Sequence, residues 1–76
     1  MNPDIIKEKL TGISRQIFVN SGITVEGNLI YLAVPYKHRF LLSDPALNKI
    51  HDAIQSGSGK TYRLLAQVMP PREEGH

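Results

Sequence analysis

Six consecutive apolar residues, Leu29-Ile30-Tyr31-Leu32-Ala33-Val34, constrain this chain more than any other stretch. Pro35 closes the run. It is too short to cross a bilayer, which takes about 20 apolar residues in a helix. As a strand it turns Ile30, Leu32 and Val34 to one face and Leu29, Tyr31 and Ala33 to the other. With both faces apolar, it belongs at the centre of a sheet. A chain of 76 residues has room for one domain. At this size about 60% of the unfolded surface is buried, so a free-standing core is marginal. Apolar residues make up 41% and charged residues 21%, a balance that fits a folded domain rather than a disordered chain.

The flanking segments supply the partners for that strand. Asn2 as N-cap, Pro3 at the first helical position and Asp4 near the positive end predict a helix over about residues 3–20. Ile6, Leu10, Ile13 and Ile17 form its apolar stripe. Gly12 costs about 1 kcal/mol against alanine inside a helix and can mark a break between two shorter helices. Asn20-Ser21-Gly22 is a stop signal. Ile23-Thr24-Val25 reads as a short strand joined through the turn residues Glu26-Gly27-Asn28 to the central run, making a hairpin. Residues 36–43 fit either a loop or an irregular helical turn. Asp44 as N-cap with Pro45 at N1 starts a helix over about 45–56, with Leu47, Ile50 and Ile54 on its apolar face. Gly57-Ser58-Gly59 stops it. Alternation of Tyr62, Leu64, Ala66 and Val68 with Arg63, Leu65 and Gln67 predicts a strand over about 61–69, ended by Pro70-Pro71. The expected domain covers 1–71, with a loose tail over 72–76. The order helix, strand, strand, helix, strand makes an α+β fold. It is a two-layer sandwich whose three-stranded mixed sheet carries helices on one face.

Charge is concentrated in the middle of the chain. Residues 1–35 balance three bases against three acids, whereas 36–63 hold Lys37, Arg39, Lys49, Lys60 and Arg63 against Asp44 and Asp52. Such a segment attracts phosphate or an acidic partner, although the excess falls short of a dedicated duplex binder. Cysteine is absent, which excludes disulfides, thiolate metal sites and a cysteine nucleophile. The first residues lack a signal-peptide pattern, so a cytoplasmic location and no membrane partner are expected.

Most chemical motifs fail on spacing. Ser56-Gly57-Ser58-Gly59-Lys60-Thr61 looks like a phosphate loop, but Ile54 stands where that loop needs its first glycine. The surrounding order, helix then strand, is also reversed. Gly57-Ser58-Gly59 likewise has neither the spacing nor the helix–helix context of a Gly-x-x-Gly nucleic-acid clamp. His38, His51 and His76 lack the spacing of a zinc site. No serine sits in a nucleophile elbow, and the paired carboxylates Glu73-Glu74 lie in the tail. Neither a catalytic residue nor a cofactor is therefore expected.

The segment that carries information is Tyr36-Lys37-His38-Arg39-Phe40, three potential cations between two aromatics just past the central strand. Tyrosine and arginine anchor protein interfaces. The same residue types stack bases and neutralise phosphates. The plainer alternative places Phe40 and Leu41 in the core and leaves Lys37 and Arg39 solvated.

The run Val25-Glu26-Gly27-Asn28-Leu29-Ile30-Tyr31-Leu32-Ala33-Val34-Pro35-Tyr36-Lys37-His38-Arg39-Phe40, followed by Ser43-Asp44-Pro45-Ala46-Leu47-Asn48-Lys49-Ile50 and Gly59-Lys60, resembles the small KH-like domain of gamma/tau subunits of bacterial DNA polymerase III. It is also similar to the N-terminal domain of the bacterial replication initiator and to a small family of replicative-helicase loaders. The similarity spans about residues 5–69. Such domains usually carry a tryptophan on the first helix, and this chain has none. The second helix of the initiator-type domain is either missing here or compressed into residues 13–20. The resemblance implies a KH-like, non-enzymatic module that docks replication proteins such as polymerase or helicase subunits, sometimes with weak single-strand binding. Tyr36, Lys37 and Phe40 fall on matching positions.

These residues support three expectations about partners. The first is a protein-docking surface made by Tyr36, Lys37, His38, Arg39, Phe40 and Lys49. The alternative is single-stranded nucleic acid held by Lys37, Arg39, Lys60 and Arg63, with Tyr36 or Tyr62 stacking on bases. The third is a homo-oligomer, since small cores often lean on a partner subunit.

Overall fold

The structure, a computed structural model, describes residues 2–71. The expected tail over 72–76, with Glu73, Glu74 and His76, lies outside the described residues. The elements are α1 (Pro3–Lys9), α2 (Gly12–Asn20), β1 (Gly22–Glu26), β2 (Leu29–Val34), a 3-10 helix (Tyr36–Leu41), α3 (Asp44–Ser58) and β3 (Arg63–Val68). The fold is the α+β class read from the sequence, with a three-stranded mixed sheet and helices packed on it.

The single long N-terminal helix is corrected to two. Asn2 caps α1 as expected, its side-chain oxygen accepting from the Asp4 N–H at 3.0 Å. Leu10 and Thr11 then adopt extended backbone, and Gly12 opens α2 with φ 60°. The two extended residues rephase the apolar face of the second helix. Ile6, Leu10 and Ile17 of the expected stripe are buried, but Ile13 is 56% exposed. In its place α2 buries Ser14, Ile17 and Phe18, a fresh i, i+3, i+4 face. A second helix thus runs over Gly12–Asn20.

β1 and β2 form an antiparallel hairpin in which Glu26 pairs with Leu29, so Glu26 belongs to the strand and only Gly27-Asn28 make the turn. Gly27 has φ 57° and Asn28 does not take a positive φ. That glycine-first sign pattern is the type II′ hairpin turn, whose twist matches the strands. β2 is central, and β3 joins its other edge in parallel, Leu29 pairing with Arg63 and Val34 with Val68. The last strand is shorter than the sequence implies, because Thr61 and Tyr62 lead into it and Met69 comes after it.

α3 starts one residue earlier than expected. Ser43, not Asp44, is the N-cap, its hydroxyl accepting from the Ala46 N–H at 3.3 Å. Pro45 thus stands second in the helix, where a missing N–H costs nothing. The far end also shifts, since Gly57 and Ser58 remain helical and Gly59 alone ends α3, with φ 71°. Gly57 has a separate reason to be small, because a Cβ there would stand 2.7 Å from Ile6 Cδ1. That absence lets α1 lie close against α3. Replacing the cap, Ser43→Ala, should cost about 1 kcal/mol. Urea titration should show it as a lower midpoint with an unchanged slope.

The core lies between the helices and one sheet face. Ile30, Leu32 and Val34 of β2 are fully buried against Ile17 and Phe18 of α2, Ile50 and Ile54 of α3 and Ile6 of α1. The opposite face of β2 is open. Leu29 and Ala33 are half-buried there, and Tyr31 is exposed. Both faces of the central strand are apolar, but helices cover only one. Among the described residues no helix is long and apolar enough to cross a membrane.

Candidate interaction surface

The segment after Pro35 folds as a 3-10 helix, resolving the ambiguity over residues 36–43. The Pro35 carbonyl accepts from the His38 N–H at 2.9 Å, starting the tight winding directly off β2. With three residues per turn, side chains at i and i+3 stand one above the other. Tyr36 is thereby brought under Arg39, and Lys37 beside Phe40. Leu41 and Leu42 tuck against the core and fix the segment to the body.

The result is an ordered aromatic–arginine stack. The Arg39 guanidinium carbon lies 3.7 Å from the Tyr36 ring centroid and 4.1 Å from that of Phe40. Its Nη1 donates to the Tyr36 carbonyl oxygen at 2.7 Å. A guanidinium over an aromatic face contributes about 0.5–1 kcal/mol at an exposed site. Both rings remain available to a partner, Tyr36 partly exposed and Phe40 81% exposed. This corrects the plainer expectation that Phe40 plugs the core. Leu41, its neighbour, takes that role. His38 is half-buried and Lys37 exposed.

Lys49 stands elsewhere. With Lys9, Leu10, Thr11, Ser14, Asp52, Ala53 and Ser56 it lines an open groove of about 350 Å³ between the α1–α2 junction and α3. None of residues 36–40 lines that groove, so the six expected docking residues divide into five on the 3-10 turn, three of them in the stack, and a separate lysine. Nothing in the sequence marks Lys9 and Asp52, because no local signal shows that the helix break faces α3.

The expected nucleic-acid set does not converge. β2 and β3 are parallel, so Arg63 pairs with Leu29 at the start of β2, whereas the 3-10 helix leaves from its end. Over the six residues of β2, at about 3.3 Å each, the two groups of bases stand about 17 Å apart. Tyr62 is 7% exposed and belongs to the core. Its carbonyl accepts from His51 Nε2 at 2.8 Å, tying α3 to the start of β3. Tyr62 thus has no free ring face for a base. Lys60 is exposed just beyond the Gly59 cap.

The hydroxyls of Ser14, Ser21, Ser43 and Ser58 are engaged locally, whereas exposed Ser56 lines the groove. Ser14 donates to the Thr11 carbonyl at 2.8 Å and Ser58 to the Ile54 carbonyl at 2.6 Å. Among the described residues no three His, Asp or Glu side chains gather as a metal-binding group. The Ser56–Lys60 stretch is a helix C-terminus, which presents carbonyls rather than the amides a phosphate needs.

Comparison with known proteins gives no match to a family model, a curated protein or a solved structure.

Proposed function

We propose that this chain is a non-enzymatic docking module that holds a replication protein, a polymerase or helicase subunit, through the Tyr36–Arg39–Phe40 stack. The observation that carries the proposal is Phe40, 81% exposed yet held on a short turn anchored at both ends. An exposed phenylalanine costs solubility, and interface hot spots are built from aromatics and arginine. Because Arg39 already lies between both rings, little side-chain freedom remains to be lost on binding. The partner class comes from the resemblance to the polymerase gamma/tau and initiator domains. The absence of catalysis is part of the same proposal, supported by the Ser14 and Ser58 hydroxyls held on backbone carbonyls and by His51 held on Tyr62. A cytoplasmic location accompanies it.

A second reading, weak single-strand binding, has one observation in its favour: Lys37 is exposed on the same turn as the two rings. Anisotropy of labelled single-stranded DNA and RNA separates the two. Docking predicts no saturable binding at near-physiological salt. Phosphate-driven binding would fall by about 0.7 log units per log unit of salt for each contact. Binding that survives that salt and collapses in Lys37→Ala/Arg39→Ala would replace the docking proposal.

A further inference from the structure

The open face of the sheet has its own pattern, independent of the Tyr36–Phe40 stack. Strand register arranges it in rows across β1, β2 and β3. One row reads Glu26, Leu29, Arg63 and the next Thr24, Tyr31, Leu65. Tyr31 is 36% and Leu65 44% exposed, and no helix covers them. The apolar centre is thus flanked at one level by an acid on one edge strand and a base on the other. Within one copy the two are not paired, since the one ion pair among the described residues is Lys7–Asp4.

This arrangement is complementary to itself. A two-fold axis lying between two such sheets and parallel to β2 sets β1 of one copy over β3 of the other. Leu29 then meets Leu29 and Tyr31 meets Tyr31 of the second copy. Thr24 faces Leu65, and Glu26 faces Arg63, twice over by symmetry. A two-fold axis across the strands would instead bring Glu26 over Gly22 and pair no charges. Aligned sheets pack about 10 Å apart, within reach of an arginine and a glutamate from opposite sides. The face carries one acid and one base and so offers no net attraction to phosphate.

We infer that the open sheet face binds a second copy of this chain in a face-to-face, two-fold dimer locked by reciprocal Glu26–Arg63 pairs. The area limits its strength. A sheet of this size measures about 20 by 14 Å from strand rise and spacing, well under the roughly 800 Å² per partner of standard interfaces. The dimer is therefore weak and dissociates on dilution.

Sedimentation velocity of the chain from low micromolar to millimolar concentration tests this. A monomer–dimer equilibrium is expected in that range. Glu26→Arg or Arg63→Glu alone should weaken it about tenfold, because each reversal breaks two symmetry-related pairs. The double charge swap should restore it. Melting curves of the same variants at low concentration check that each folds. Chemical-shift changes on dilution should centre on Tyr31 and Leu65. A chain that stays monomeric at millimolar concentration overturns the inference, as does a dimer indifferent to both reversals or a swap that fails to restore it. Binding of single-stranded DNA lost in Arg63→Glu would assign the face to nucleic acid instead.

Discussion

Phe40→Ala should weaken partner binding by about thirtyfold or more while leaving the melting temperature in place, the behaviour of an interface hot spot. The ring is 81% exposed, so its removal takes almost nothing from the core. What disappears is the outer ring of the stack and one of the two aromatic faces around Arg39. Arg39→Ala should be as damaging, since it frees both rings and removes the hydrogen bond to the Tyr36 carbonyl. Arg39→Lys separates geometry from charge. Lysine keeps the positive charge but lacks the planar guanidinium that lies against two rings, so its affinity should fall close to that of the alanine variant. Surface plasmon resonance against purified replicative helicase and polymerase III subunits, with thermal melts alongside, gives the readout. If Phe40→Ala binds as tightly as the parent, the stack is not the docking surface. If instead it melts well below the parent, Phe40 serves the fold.

The parts of this fold legible in the sequence are those decided by neighbours along the chain. Leu29–Val34 is visible as a strand because six apolar residues at period two have no competing helical face. Asn2-Pro3 and Ser43-Asp44-Pro45 announce helix starts to within one residue, since caps depend on local amides. The α1–α2 break is legible only as a weak point at Gly12, because Leu10 continues the apolar stripe whether or not the helix does. The contact that sets α1 against α3, with Ile6 seated where Gly57 carries no side chain, joins residues 51 positions apart and leaves no local signal. Phe40 shows the limit more sharply. Its apolar side chain argues for the core, and only the 3-10 path determines that Leu41 goes inward while Phe40 goes out. The basic segment fails for a different reason. Counting charge over 36–63 joins Lys37 and Arg39 to Lys60 and Arg63, but the parallel crossover returns the chain to the opposite end of β2 before Arg63. Linear charge density carries no record of that crossover.

Leu32→Ala should be among the most destabilising single truncations in the molecule, and Tyr31→Ala, one residue away, should be mild. Leu32 is fully buried in the central strand, paired with Ile23 on one side and Ala66 on the other. Small Ala66 cannot swing in to fill the space left behind, and the helices opposite are held by their own contacts with one another. Truncation of a buried leucine costs about 2–5 kcal/mol when the cavity stays open. A chain of 76 residues has only about 4–11 kcal/mol in total at typical stability per residue. At about 4–8 °C per kcal/mol for a domain of this size, the loss should lower the melting temperature by at least about 10 °C. Tyr31 points to the uncovered face and should change stability by less than about 1 kcal/mol. Both variants should be melted at low micromolar concentration, the end of the range where the proposed weak dimer is mostly dissociated. Equal losses at that concentration would mean that the sheet is covered on both faces within one copy, and the open face would cease to be a binding surface. A large loss at Leu32 with a small one at Tyr31 would locate the core on one side of β2 and leave the other side free for the second copy.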